Sequence, residues 1–314
     1  MTITRFDTDG SAGTQGKCAL ALGWFDGLHV GHAALIAKTV ETARKNGLSA
    51  AVWTFEGSKK AGSDSSPGFI LSDGEKAERL KAAGIDLLFS AGFSEMKDLT
   101  AEDFVKKILI GRCGCEIALC GFNYRFGAGG AGTAGILSEL MAKEGKSTIV
   151  LPPVNIGGRA VSSTSIRAML SEGKPDEAAI LLGRPFSLIA EITHGRRVGH
   201  KLGFPTLNQP FPDGMLIPRH GVYITEVTID GKTYRAVSNV GVHPTFGECG
   251  RVVCESNLLS GNPGECYGKT AETRFIRYIR PEIRFDGAEE LKRRITLDIT
   301  AANEYFFKTD NSVK

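Results

Sequence analysis

Short apolar runs alternate with amphipathic stretches through the first half of the chain. Cys18–Gly23 reads as a buried strand. His32–Asn46 reads as a helix: Leu35, Ile36, Thr39, Val40 and Ala43 share a face, and Gly47 suits its C-terminal cap. Ala50–Phe55 is the next strand, and Ser72 with Glu75 forms a capping box that opens another helix. Ile85–Phe89 then reads as a strand, and Thr100 starts a helix carrying Phe104, Ile108 and Leu109. Glu116–Cys120, Gly135–Lys143 and Ser147–Leu151 continue as strand, helix and strand. This alternation predicts a doubly wound parallel sheet with helices on both faces. Ligands of such sheets sit outside the carboxyl ends of the strands, where Gly23–His32 falls.

The rhythm changes near Leu182–Pro185. Phe186–Thr193, Gly221–Ile229, Thr233–Asn239, Arg251–Leu259 and Glu272–Arg280 read as strands. Asp230-Gly231 between two alternating runs is a type I′ hairpin signal. One long helix, Ala288–Phe306, closes the pattern with Leu291, Ile295, Ile299, Ala302 and Phe306 along a stripe. The expectation is an α/β domain over 1–183, followed over 184–314 by a small antiparallel β-barrel with a C-terminal helix. Gly57–Gly68 reads as a mobile loop by composition.

Bulk composition narrows the function. The 314 residues are 42% hydrophobic and 23% charged, with a formal net charge of +3. Nothing there provides the concentrated basic face that a nucleic acid or an anionic membrane requires. No apolar run approaches the ~18 residues of a membrane span, and the first sixteen residues lack the apolar core of a signal peptide. The expected location is cytoplasmic. Seven cysteines at irregular spacing, with no histidine beside Cys113, Cys115 and Cys120, read as buried reduced thiols. Cys249, Cys254 and Cys266 read the same way. The oligomeric state is left open.

Three segments carry chemistry. In "GWFDGLHVGH", Gly23 and Asp26 precede His29 and His32, which at i and i+3 can point to one side of a first helical turn. A helix N-terminus offers free N–H groups and a positive dipole end to an anion. Imidazoles placed there can donate to phosphate oxygens. In "VSSTSIR", the hydroxyls and the arginine, among them Ser163, Thr164 and Arg167, sit where a helix opens and suit a polyphosphate. The glycine-rich "GFNYRFGAGGAG", Gly121–Gly132, has no evident packing reason and points to ligand contact.

These segments resemble the adenylyltransferase module of the bacterial bifunctional riboflavin kinase/FAD synthetase family. The second half resembles that family's kinase module through "GHKLGFPTLN" from Gly199, "GVY" from Gly221, "NVGVHPTF" from Asn239, the Glu255 segment and Tyr267-Gly268. The resemblance spans nearly the whole chain and keeps motif order. It implies phosphorylation of riboflavin to FMN by the barrel, then transfer of AMP from ATP to FMN by the first domain. It implies that Thr206 and Asn208 hold Mg²⁺ and the ATP phosphates together with the Gly199 segment, and that Glu255 is the general base. His29 and His32 would stabilise the attacked phosphate. Ser163, Thr164 and Arg167 would bind the other two phosphates, and Asn123 and Arg125 would face the flavin.

The chain departs from the family pattern in four places. Gly57-Ser58-Lys59-Lys60 stands where a proline-histidine-proline turn is usual. Asn123 stands for an aspartate, and Ser260-Gly261 for an aspartate-phenylalanine pair. His200 stands for an arginine. An alternative reading is a riboflavin kinase whose adenylyltransferase module is altered.

Overall fold

The computed structural model describes residues 1–6, 16–56, 68–195, 204–245 and 248–312, without the side chains of 243–250 and 312. The Gly57–Lys60 segment, most of the expected mobile loop and the Gly199 segment up to Gly203 lie outside the described residues. The chain divides into two compact units, Met1–Ser163 and Thr164–Lys314. Among the described residues no helix is long and apolar enough to cross a membrane.

The first unit is built on a six-stranded sheet: β1 (Thr2–Phe6), β2 (Cys18–Leu22), β3 (Ser49–Phe55), β4 (Leu87–Ala91), β5 (Cys115–Gly121) and β6 (Ser147–Leu151). All neighbours are parallel, in the order β1-β4-β3-β2-β5-β6. From β2 the chain steps outward through β3 and β4, then returns to the other side of β2 for β5 and β6. The direction reverses between β2 and β5, which opens a crevice at their carboxyl ends. Strand alternation sends Leu20 and Leu22 into one core layer with Trp53 and Leu109. Ala19 and Ala21 face the other layer with Leu35, Ile36 and Leu80. The second layer is covered by α1 (Val30–Lys45) and α2 (Asp73–Ala82), and the first by α3 (Ala134–Lys143) through Leu137 and Met141.

Two details differ from the sequence expectation. The edge strand β1 was not anticipated, because five residues of "TITRF" give too short a pattern. The helix opened by Thr100 becomes π-helical over Phe104–Arg112, and Cys113 N donates to Ile108 O.

Helix α4 (Ser163–Glu172) straddles the division, and α5 (Pro175–Leu182) follows with proline in its first turn and left-handed Gly183 as its cap. The second unit then forms β7 (Phe186–Glu191), β8 (Thr206–Pro210), β9 (Gly221–Ile229), β10 (Lys232–Thr245), β11 (Glu248–Leu258) and β12 (Thr270–Arg280). The order is β7-β12-β9-β10-β11-β8, all antiparallel. A bridge between Thr193 and Asn208 joins the chain just past β7 to β8, so the two edges meet and the sheet curls into the expected barrel. Strand β8 was not anticipated. It begins directly after Pro205, where turn signals dominate. Asp230 (φ 49°) and Gly231 (φ 77°) form the two-residue turn between β9 and β10, as the Asp-Gly pair predicts.

The barrel interior carries a run of hydroxyls. Thr225 Oγ1 and Ser238 Oγ lie 2.6 Å apart, and Ser238 Oγ and Ser256 Oγ 2.7 Å apart. All three residues are fully buried. Gln209, also inside, donates to Ala190 O and Ala271 O. Outside, α6 (Ala288–Ser312) lays Ala302 and Phe306 on Val222, Ile224 and Val237.

Helix α6 is anchored by charge as well as by apolar contact. Buried Arg280 of β12 donates from Nε and Nη2 to both carboxylate oxygens of buried Asp298, at 2.7–3.1 Å. Asp298→Ala would leave a guanidinium in the interior without its counter-charge. The expected loss is about 3–5 kcal/mol, read as a lower urea midpoint for the second unit followed by circular dichroism.

Candidate active sites

The loop between β2 and α1 is held in an unusual shape. Phe25 (φ 54°) and Leu28 (φ 43°) are left-handed without being glycine, on either side of left-handed Gly27. Such strain persists only where the surroundings over-determine it, and it clusters at functional sites. Here the ring of Phe25 is fully buried in the core. The carboxylate of Asp26 accepts from Ile70 N at 2.9 Å and Leu71 N at 3.3 Å. Thr54 Oγ1 donates to Trp24 O at 2.8 Å, and Ser163 Oγ to Asp26 O at 2.8 Å. Ser163, from the start of α4, is thus brought to this loop. A Cβ at Gly23 would lie 3.1 Å from the Phe25 ring, so that glycine makes room for a core side chain as well as lying at the strand end.

His29 is the N-cap of α1. Its Nδ1 accepts from His32 N at 3.2 Å, which satisfies one of the free amides of the first turn. A nitrogen that accepts carries no proton, so the proton of neutral His29 is on Nε2. The rings of His29 and His32 stack with centroids 3.6 Å apart and planes 13° apart. Gly31 allows this: a Cβ there would lie 3.2 Å from Cε1 and Nδ1 of His29. The H-x-G-H spacing therefore has a packing reason for its glycine. His29 is only 6% exposed, and His32 meets the Phe25 ring edge-on. The Nδ1 of His32 is buried without a hydrogen-bond partner. Burial, then the nearby His29 and Lys76, hold the His32 imidazole well below its usual value, so it is neutral at pH 7.

Asn123 and Arg125 are exposed on the loop leaving β5, beside β2 at the crevice. The expectation that the glycines of this loop serve ligand contact alone needs correction. A Cβ at Gly127 would come within 2.9 Å of Ala101 N, and one at Gly132 within 2.6 Å of the Phe126 ring. Packing accounts for both. Thr164 is exposed and Arg167 partly exposed on α4, most of which groups with the second unit.

In the barrel, the strand register assembles the second set. Asn208 of β8 pairs with Glu255 of β11, and Glu255 pairs on its other side with Asn239 of β10. Residues directly opposite across a sheet share a face, so Asn208, Glu255 and Asn239 line up there. Thr206, two residues before Asn208, is on the same face. Asn239 Nδ2 donates to Glu282 Oε1 at 3.2 Å. A Cβ at Gly195 would sit 2.4 Å from Asn208 Nδ2, so this glycine leaves the space the amide occupies. Gly199 lies outside the described residues.

Among the described residues no three His, Cys, Asp or Glu side chains converge to hold a metal ion. The neutral oxygens of Thr206 and Asn208 are of the kind that fits a Mg²⁺ ion whose remaining ligands are phosphate and water. The six cysteines whose side chains are described are free and buried, as expected. Burial pushes the thiols of Cys18 and Cys254 up to about 12.

The sequence reading missed two groups. The ammonium of buried Lys76 lies 3.1 Å from Asp73 Oδ1 and 3.3 Å from Phe55 O, at the carboxyl end of β3. A lysine on the polar-looking helix α2 gives no sequence signal of burial. His194 stacks on Tyr267 at 3.9 Å, a contact between distant parts of the chain that only the fold reveals.

His32 gives a signed pH dependence. Its folded value lies below the ordinary ~6.5 of the unfolded chain. Its contribution to stability is complete above that value and is lost as pH falls below it, because the unfolded chain takes up a proton first. Urea midpoints between pH 8 and 5 should fall less steeply for His32→Asn than for the natural chain.

Two family models match side by side: "FAD synthetase" over residues 11–165 and "Riboflavin kinase" over residues 182–306. Curated proteins described as bifunctional riboflavin kinase/FMN adenylyltransferase are similar over nearly the full length. That of Bacillus subtilis is 31% identical over 93% of each chain. That of Escherichia coli K12 is 32% identical over 94% of this chain and 95% of its own. A crystal structure from Streptococcus pneumoniae, described as a macrolide-efflux protein, superposes with a TM-score of 0.84 at 30% identity. It covers 96% of this chain and 99% of its own. The full-length likeness, with both halves matched in order, places the chain in the bifunctional riboflavin kinase/FMN adenylyltransferase family.

Proposed function

We infer that this chain is an enzyme of flavin-cofactor synthesis with two activities in one polypeptide. The riboflavin kinase half transfers phosphate from ATP to riboflavin and gives FMN. The FAD synthetase half joins AMP from a second ATP to FMN and releases pyrophosphate. One observation carries this reading: both matched stretches hold a set of groups suited to phosphoryl or nucleotidyl transfer, the stacked histidines in one and the Asn208–Glu255–Asn239 line in the other. We put the functional boundary at 183/184, a reading supported by left-handed Gly183 at the end of α5 and by a kinase match that begins at residue 182.

Roles follow from placement. His29, with its tautomer fixed by the cap, donates from Nε2 to the α-phosphate of ATP as charge builds during attack. Neutral His32 supports it from the same stack. The positive end of α1 favours the same anion. Ser163, Thr164 and Arg167 hold the two outer phosphates and the departing pyrophosphate. Asn123 and Arg125 face the flavin. In the barrel, Glu255 takes the proton from the 5′-hydroxyl of riboflavin as that oxygen attacks. Thr206, Asn208 and the Gly199 segment bind the ATP phosphates, and Thr206 and Asn208 hold Mg²⁺. When bound, the ion neutralises phosphate charge. Neither transfer needs a covalent enzyme intermediate, so positioning and charge complementarity supply the catalysis. The enzyme works on small molecules in the cytoplasm, with no nucleic-acid or membrane partner. Its near-neutral net charge supports that reading.

The test is incubation with riboflavin, ATP and Mg²⁺ and chromatographic separation of the flavins. Both FMN and FAD are expected. His32→Ala should cut FAD formation roughly a hundredfold or more while FMN still appears. Glu255→Gln should slow FMN formation by about 10²–10⁴-fold and leave added FMN convertible to FAD. FMN without FAD would leave only the kinase reading, and neither product would end both.

A further inference from the structure

Three aromatic rings meet at the carboxyl edge of the first sheet. Trp24 follows β2, Phe55 ends β3 and Phe93 follows β4. Their centroids form a near-equilateral triangle: 5.3 Å from Trp24 to Phe55, 5.8 Å from Trp24 to Phe93 and 5.4 Å from Phe55 to Phe93. None of the three is in the buried core, and Phe93 is 41% exposed. The other large rings of these strands, Phe6, Trp53 and Phe89, are almost fully buried. Apolar rings are therefore left part-way out of the core at the one edge where ligands of such a sheet sit.

Trp24 is fixed in place. Its carbonyl accepts from Thr54, and the next residue is left-handed Phe25, locked in the core. It shares the loop with His29, five residues on. The acceptor in adenylyl transfer is the phosphate of FMN, which must reach the histidines. The isoalloxazine ring must then lie one ribityl chain away. That ring is flat and π-faced, and half-exposed aromatic side chains are its natural partners.

We propose that Trp24, supported by Phe55 and Phe93, is the platform on which the isoalloxazine ring of FMN stacks during adenylyl transfer. This rests on the adenylyltransferase reading above. Asn123 and Arg125, on the β5 side of the crevice, would then meet the flavin's polar atoms, while the platform carries its face.

The experiment measures FAD formation by the full chain with FMN and ATP varied separately, for Trp24→Ala, Trp24→Phe and Phe93→Ala. Trp24→Ala should raise KM for FMN about tenfold, with KM for ATP and the rate of riboflavin phosphorylation within about twofold of the natural chain. Trp24→Phe keeps a ring and should recover most of that loss. Phe93→Ala, at an exposed position, should raise the same KM several-fold and reports on the platform even if Trp24→Ala misfolds. An unchanged KM for FMN in both alanine variants would overturn the platform while the adenylyltransferase reading stood. A rise confined to KM for ATP would assign the rings to adenine and overturn it as well. A natural chain that made FMN but no FAD would overturn the parent reading and the platform together.

Discussion

The first unit depends on one hydrogen bond, from His32 N to Nδ1 of His29. It makes a side chain suited to catalysis the structural cap of α1. The cap satisfies a helix amide, chooses the His29 tautomer and fixes the ring against His32. The strained loop before it exists to deliver that ring to the reversal point of the sheet. Four separate contacts hold the loop there: the Phe25 core ring, the Asp26 carboxylate, and the carbonyls of Trp24 and Asp26. Asp26 acts through the backbone it pins. Its side chain is turned to Ile70 and Leu71.

The barrel reaches the same end by other means. There the proposed site rests on register, because antiparallel pairing brings Asn208, Glu255 and Asn239 side by side from strands β8, β11 and β10. A one-residue slip of β11 would turn Glu255 toward the interior and bring a core residue to the surface. The buried hydroxyl row opposes such a slip, because Ser256 of β11 meets Ser238 of β10 in the observed register.

Much of this was legible from sequence. Periodicity found most strands of both units, and Asp230-Gly231 announced its turn. The H-x-G-H motif marked the first candidate site because strand, glycine and histidine fall within a few residues. What escaped was what depends on distant parts of the chain. Strand β8 exists because β11 offers it an edge, and "TLNQP" has no period of its own. Lys76 is buried because α2 lies against the end of β3, where Phe55 O and Asp73 receive its ammonium. The glycines at 127 and 132 looked like ligand contacts, since the rings and backbone they accommodate are not adjacent in sequence. Gly31 carries no mark of its own in the sequence. Its role as room for an imidazole appears only once the His29 rotamer is known.

The hydroxyls of Thr225, Ser238 and Ser256 form an unbroken row across three neighbouring strands. Each can give its proton to only one neighbour, so the row has two collective orientations, and reversing one O–H obliges the others to follow. Replacing a single member by an apolar residue interrupts the row, whereas changing all three together can remove it without orphans. Drift at these positions is therefore expected to be correlated, with the three sites exchanging as a set across related chains.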